Sequence, residues 1–305
     1  MSLHAAPSPP TIVRLGPKDF PETVALLDAD PVLNVYLCAL ALRDALARPR
    51  DEWWGSRRAG RLTALLYLGG LSGAVLPAGD DPEGLRALGA IAARRDALPP
   101  RFQVIGPRDA VAAARERFPG PDSSLRLERE QLYMSLAPGA LTPFERLPGL
   151  RPARREDLEL VFETGAALRA EELLEDPRDT EPEAFRRRCE EDCRDGHTQV
   201  WRDERGLVFR ASVSARTADA AQISGVYTPP EFRNRGIATR ALAEMCMRLL
   251  ERSGECCLFV NAVNAPAIAV YRRLGFVERS PWASAFYVPA PASSRGEPSG
   301  SPSPH

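Results

Sequence analysis

Val226-Tyr227-Thr228-Pro229-Pro230-Glu231-Phe232-Arg233-Asn234-Arg235-Gly236-Ile237-Ala238-Thr239 is the stretch on which the reading of this chain turns. Gln222 to Thr228 reads as a short buried strand, with Ile223, Val226 and Tyr227 apolar and two prolines to stop it. Beyond the glycine the apolar period changes. Ala238, Leu242, Met245, Cys246, Leu249 and Leu250 fall at helical spacing on one face. A strand, a basic loop and a helix therefore follow one another. At such a helix start the free N–H groups of residues 235–239 converge with the positive end of the helix dipole, which makes a cup for an anion. Gly236 has no side chain, so a ligand can approach the backbone closely, and Arg233, Arg235 and Arg240 bring positive charge around the cup. The ligand expected there is a pyrophosphate. Two other phosphate loops are excluded, because no Lys-Ser/Thr pair follows Gly236 and G-x-G-x-x-G is absent. What remains is Arg-x-x-Gly-x-Ala after a strand, at Arg233, Gly236 and Ala238.

A second segment narrows the reading. Cys256 to Val260 is a compact apolar run, the next buried strand, and Asn264-Ala265-Pro266-Ala267-Ile268-Ala269-Val270-Tyr271-Arg272-Arg273-Leu274-Gly275-Phe276 follows it. Asn264 is a good N-cap, Pro266 is tolerated in a first turn and Gly275 supplies the stop. Asn264 and Tyr271 lie two turns apart on one helix face. Together the two segments resemble the acetyl-CoA loop and the Asn-x-x-Ala-x-x-x-Tyr-x-x-x-Gly-Phe element of the GNAT N-acetyltransferase superfamily. The resemblance implies that acetyl-CoA is the co-substrate. Val226, Tyr227 and Thr228 would pair with its pantetheine arm, Arg233, Asn234, Arg235, Gly236, Ile237, Ala238 and Thr239 would hold its pyrophosphate, and Asn264 would bond the pantetheine. Tyr271 would protonate the departing thiolate, a role that suits a phenol with an ordinary pKa of about 10. On this segment alone, core packing of the helix against the sheet is the better reading of Tyr271.

The rest of the chain sets bounds. With 305 residues it has room for two domains, and a net charge of -1 favours no nucleic-acid partner. No apolar run reaches membrane-spanning length and the N-terminus has no signal pattern, so a cytoplasmic protein, monomer or homodimer, is expected. Cys38, Cys246, Cys256 and Cys257 stand in apolar contexts and read as small core residues. Cys189, Cys193 and His197 fall at four-residue spacing, but no second pair of ligands presents itself, and no metal is expected.

The pattern divides the chain into a disordered 1–11, a first half at 12–140, a linker at 141–149, a second half at 150–288 and a disordered Pro/Ser/Gly-rich tail at 289–305. The fold class is a mixed α/β sheet flanked by helices, with two tandem GNAT-like domains. In the second half the order is strand, two helices, three strands, helix, strand, helix and a final strand from Val277 turning back into Ala285 to Val288. The first half repeats much of this order without Arg-x-x-Gly-x-Ala. Its Asp81-Pro82-Glu83-Gly84 puts acid where phosphate would sit, so it reads as a degenerate, non-binding copy.

The activity implied is direct transfer of an acetyl group from acetyl-CoA to a primary amine, on a small molecule or a protein. Other readings are a longer-chain or amino-acid N-acyltransferase and a non-catalytic CoA-binding regulator. Many members of the superfamily place a Glu on the strand before the loop. Here Ala221-Gln222-Ile223-Ser224-Gly225 carries no carboxylate. Glu172 and then Glu171, at the end of the first helix of the second half, are the next candidates for the base. An ordinary solvated, acid-rich helix end, with Glu175 and Asp176 beside them, is the other reading.

Overall fold

The computed structural model describes residues 9–94, 98–120 and 122–290. Its first half runs β1 (Thr11–Leu15), α1 (Phe20–Leu27), α2 (Val35–Asp44), β2 (Asp51–Arg58), β3 (Arg61–Gly69), β4 (Ala74–Gly79), α3 (Pro82–Ala92), β5 (Phe102–Pro107), α4 (Arg108–Arg115) and β6 (Ser123–Leu136). The second half runs β7 (Arg151–Pro152), α5 (Leu158–Leu173), α6 (Pro177–Thr180), α7 (Pro182–Arg194), β8 (Thr198–Asp203), β9 (Gly206–Arg216), β10 (Ala220–Tyr227), α8 (Ile237–Leu250), β11 (Glu255–Asn261), α9 (Ala265–Leu274) and β12 (Val277–Pro289). No helix among the described residues is long and apolar enough to cross a membrane. The termini read as disordered lie mostly outside the described residues, although Thr11 already begins β1 and Pro289 still ends β12.

The described strands make one 12-stranded sheet in the order β1-β2-β3-β4-β5-β12-β6-β11-β10-β9-β8-β7. The two halves exchange their last strands. β6 pairs with β11 from Cys256↔Leu136 to Asn261↔Gln131, while β12 lies between β6 and β5. The hairpin expected after Val277 is therefore replaced by one continuous strand. Pro281 is accommodated because β5 begins to pair only at Trp282↔Pro107, so at Pro281 β12 has β6 alone beside it and the missing N–H breaks no second ladder. Arg279 falls at a register shift and reaches Asp30 of the first half at 3.0 Å. Fully buried Tyr133 of β6 donates its hydroxyl to the Val32 carbonyl at 2.6 Å, and its ring packs against Trp282 with centroids 4.7 Å apart.

Helices cover both faces of the second half. α8 and α9 bury Leu242, Met245, Ile268 and Leu274 on one side, and α5 and α7 bury Val161, Phe162 and Phe185 on the other. The stretch read as a linker is docked: Leu147 is buried, and its N–H and Arg146 both donate to the fully buried Glu244 carboxylate of α8. Cys189 and Cys193 are buried in the core beside α5, and His197 sits 3.8 Å from Asp192. No group of three potential metal ligands occurs among the described residues.

Candidate functional site

A glycine opens the sheet where the two central strands of the second half meet. β10 and β11 run parallel but pair only from Ala220↔Glu255 to Gln222↔Cys257. Beyond that point β10 carries a register shift against β9 between Ser224 and Tyr227, and Gly225 inside it has φ +60°. Such a bulge bends its strand and raises the local twist, which carries β10 away from β11. A cavity of about 1060 Å³ lies in the opening. In the first half the corresponding parallel pair bonds only at Ala74↔Gln103 and Val75↔Val104, but a Cβ on Gly106 of β5 would lie 3.2 Å from the Pro77 carbonyl of β4, so the two strands remain close there.

The loop after β10 forms a nest. A short turn at Pro230–Phe232 leads to Asn234 and Gly236, with φ +61° and +72°, and Gly236 is the N-cap of α8. Backbone in this alternation turns successive N–H groups toward one concavity, and the first-turn amides of α8 have no acceptor inside the helix. A Cβ at Gly236 would meet nothing within 4 Å. The positive φ is what demands glycine here, and the space before it is open to a ligand.

The basic residues divide. Arg233 donates through Nε to the Thr228 carbonyl at 2.9 Å and pairs with Glu171, and Arg240 pairs with Glu145 at 3.2 Å. Each guanidinium thus has a carboxylate on an adjoining segment. Arg235 lies over the Phe232 ring. Of the residues that the sequence assigned to the cup and the catalytic site, Arg235 and Arg240 lie outside the cavity wall.

Asn264 caps α9, its side chain accepting the Ala267 N–H at 3.2 Å, and so sets the start of the helix that carries Tyr271 into the cavity wall. Tyr271 is buried and packs on Phe276. Burial, then the Glu172 charge, raises its phenol above the ordinary value, so it holds its proton at neutral pH. The two glutamates of α5 separate in role. Glu171 accepts two contacts of 2.9 Å from Arg233 and the Tyr227 hydroxyl at 3.3 Å. Glu172 opens onto the cavity but is crowded by its wall. That desolvation, reinforced by the Glu171 charge and opposed by Arg129, pushes its carboxyl up to about 7.

The far wall comes from the other half of the chain. Gln103 of β5, Arg129 and Gln131 of β6, and Ser284 and Phe286 of β12 line the same cavity. None of these was singled out in the sequence. The available signal was Glu128-Arg129-Glu130-Gln131, a polar run inside a strand whose end, from Tyr133 to Leu136, is buried. In a strand flanked on both sides such a run has to face water or a ligand.

The sequence model of the acetyltransferase (GNAT) family matches residues 166–276, from within α5 to the residue before β12. These residues carry a GNAT-family domain. Solved structures agree on the fold across both halves. A GCN5-related N-acetyltransferase from Sphaerobacter thermophilus superposes with TM-score 0.61 at 18% identity, covering 92% of this chain and 96% of that one. A tandem GNAT protein from the clavulanic acid biosynthesis pathway gives 0.54 at 18%, covering 93% and 100%. A GNAT-family acetyltransferase from Colwellia psychrerythraea gives 0.52 at 10%, covering 91% and 99%. No curated protein matches the sequence. The GNAT match includes the bulge, the nest, Glu171, Glu172 and Tyr271, and excludes Arg129 and the β12 wall.

In the first half the place of the nest is filled from within. Asp81 caps α3 by accepting the Gly84 N–H at 3.0 Å, and Arg58 donates to both of its oxygens at 2.8 and 3.0 Å. Arg58, with the Gly84 and Thr63 donors, holds the Asp81 carboxyl down at about 2. A carboxylate of the protein thus occupies the helix start that an anion would need.

Proposed function

We propose that the protein is an acetyl-CoA-dependent N-acetyltransferase that transfers acetyl directly to a primary amine within a ternary complex. One observation carries this reading: the bulged edge of β10, the Gly236 nest and the buried Tyr271 open into one cavity. The edge of β10 from Ile223 onward has no ladder to β11, so an extended pantetheine can add there as a strand would. The pyrophosphate would take the amides of residues 235–239. Glu172 is suited to accept the proton of the attacking amine, since its carboxyl titrates near neutrality. The developing oxyanion would be met by backbone N–H groups at the end of β10. Tyr271 would return a proton to the leaving thiolate. The division proposed is a non-binding first half at 12–140 and a catalytic half at 150–288, in a cytoplasmic protein.

Thiol release from acetyl-CoA across a panel of amines tests the reading, with calorimetry of CoA binding beside it. Binding without release from any amine would replace it by a CoA-binding regulator. Faster release from longer acyl-CoA would make the protein an acyltransferase of wider acyl range.

A further inference from the structure

Arg129 of β6 and Glu172 of α5 face one cavity from the two halves of the chain, and neither forms an ion pair among the described residues. The charges around them pair off. Glu171 is held by Arg233, and Glu175 by Arg126 and Arg101. Arg129 and Glu172 are left to act on each other through space, without an ion-pair contact. Arg129 donates to the Glu172 backbone carbonyl at 3.2 Å, a capping contact that uses one of its five N–H donors, while its Nε is buried without a partner. Arg126 caps the neighbouring Leu173 carbonyl at 2.8 Å, so docking of the α5 end does not rest on Arg129 alone. Gln131, next along the same wall, accepts the Ser284 hydroxyl at 2.6 Å and keeps its NH₂ donors.

We infer, on the amine-acceptor reading above, that the acceptor is a zwitterion of the amino-acid class, its carboxylate taken by Arg129 and its amino group placed on the Glu172 side. A guanidinium fork matches a carboxylate in planar, two-point geometry, and Arg129 brings that fork to the cavity wall. A polyamine or a lysine side chain would bring no carboxylate to Arg129, and a polyamine would add a second positive charge beside it. The bound ammonium first gives one proton to Glu172, which passes it to solvent; the neutral nitrogen then bonds to the acetyl carbon, the C–S bond breaks, the second amine proton passes to Glu172, the thiolate takes the Tyr271 proton and the phenolate is reprotonated from Glu172 or solvent.

Paired acceptors test this in the full chain: phenylalanine against phenethylamine and leucine against isopentylamine, with thiol release read at saturating acetyl-CoA. The carboxylate-bearing member of each pair should have the higher kcat/KM by about 10–100-fold, the loss typical of a charge-assisted contact. In Arg129→Gln that ratio should collapse toward one, and CoA calorimetry on the variant reports whether the fold survives. Equal kcat/KM within the pairs in the native protein, or a preference that persists in a folded Arg129→Gln, overturns the inference and leaves the N-acetyltransferase reading standing. Acetyl-CoA binding with no release from any amine overturns both.

Discussion

Arg233 holds the Glu171 carboxylate with contacts of 2.9 Å to each oxygen, tying the loop after β10 to the end of α5. The same loop carries the nest, and the same helix carries Glu172. The ion pair is partly exposed, so its worth lies in position more than in stability. It also distinguishes the adjacent acids: Glu171 is engaged, and Glu172 keeps its carboxyl free over the cavity.

Glu172→Gln should therefore abolish the acidic limb of the pH–rate profile and lower the plateau. In the native protein, activity should rise through a pH near 7 as the carboxyl loses its proton, since the cavity wall and Glu171 raise its value to there. Glu171→Gln should keep that limb but move it to lower pH, since the Glu171 charge no longer raises Glu172, and should raise KM for acetyl-CoA as the loop loosens. A native profile flat from pH 5 to 8 would remove Glu172 from the mechanism.

Tyr271→Phe should bind CoA almost as tightly as the native protein while turnover falls by about 10²–10⁴-fold. The phenyl ring keeps the packing on Phe276, and the lost hydroxyl is the group raised above its ordinary pKa by burial. Calorimetry and steady-state kinetics together read this. Unaltered turnover would leave the residue as core packing.

Gly236→Glu should abolish CoA binding, because the side chain enters the open space before the nest with the charge of the phosphate it displaces. Gly236→Ala should bind more weakly and lose about 1 kcal/mol of stability, the cost of a Cβ at φ +72°. Isothermal titration with CoA and thermal unfolding measure the two effects.

A fragment of residues 145–290 should be insoluble or unfolded. It would lack β6, which pairs with both β11 and β12, and would expose β12 on both edges. Circular dichroism and gel filtration of the fragment are the test. A folded, active fragment would show that the strand exchange is dispensable.

Stability should fall on acidification between about pH 4.5 and 2. Glu244 and Asp81 are both held down at about 2, Glu244 chiefly by Arg146 and Asp81 chiefly by Arg58. Groups whose folded pKa lies below the unfolded one stabilise above the unfolded value and lose that contribution as pH drops to the folded one. Glu244→Gln should flatten the fall and cost about 1–3 kcal/mol at neutral pH, since the Arg146 and Leu147 donors lose a charged acceptor. Denaturant unfolding across pH measures both.

The sequence by itself determined the elements whose requirements are local. Pro229 and Pro230 end a strand, a glycine with positive φ must precede α8, Asn264 caps α9 and Gly275 closes it, because each answers to the backbone geometry of a few residues. Those elements sufficed for the resemblance to the GNAT family and for the places of Gly236 and Tyr271 in the chain's elements. Only the tertiary structure decided what depends on distant pairing. The 3.6 and 2 periods say which face of an element is buried but not which strand lies beside it. The exchange of β6 and β12, the turning of Arg233 toward Glu171, and the entry of Arg129 into a cavity of the other half had no local signature. The acceptor wall was hidden for that reason, since it is assembled by strand order and not by a motif.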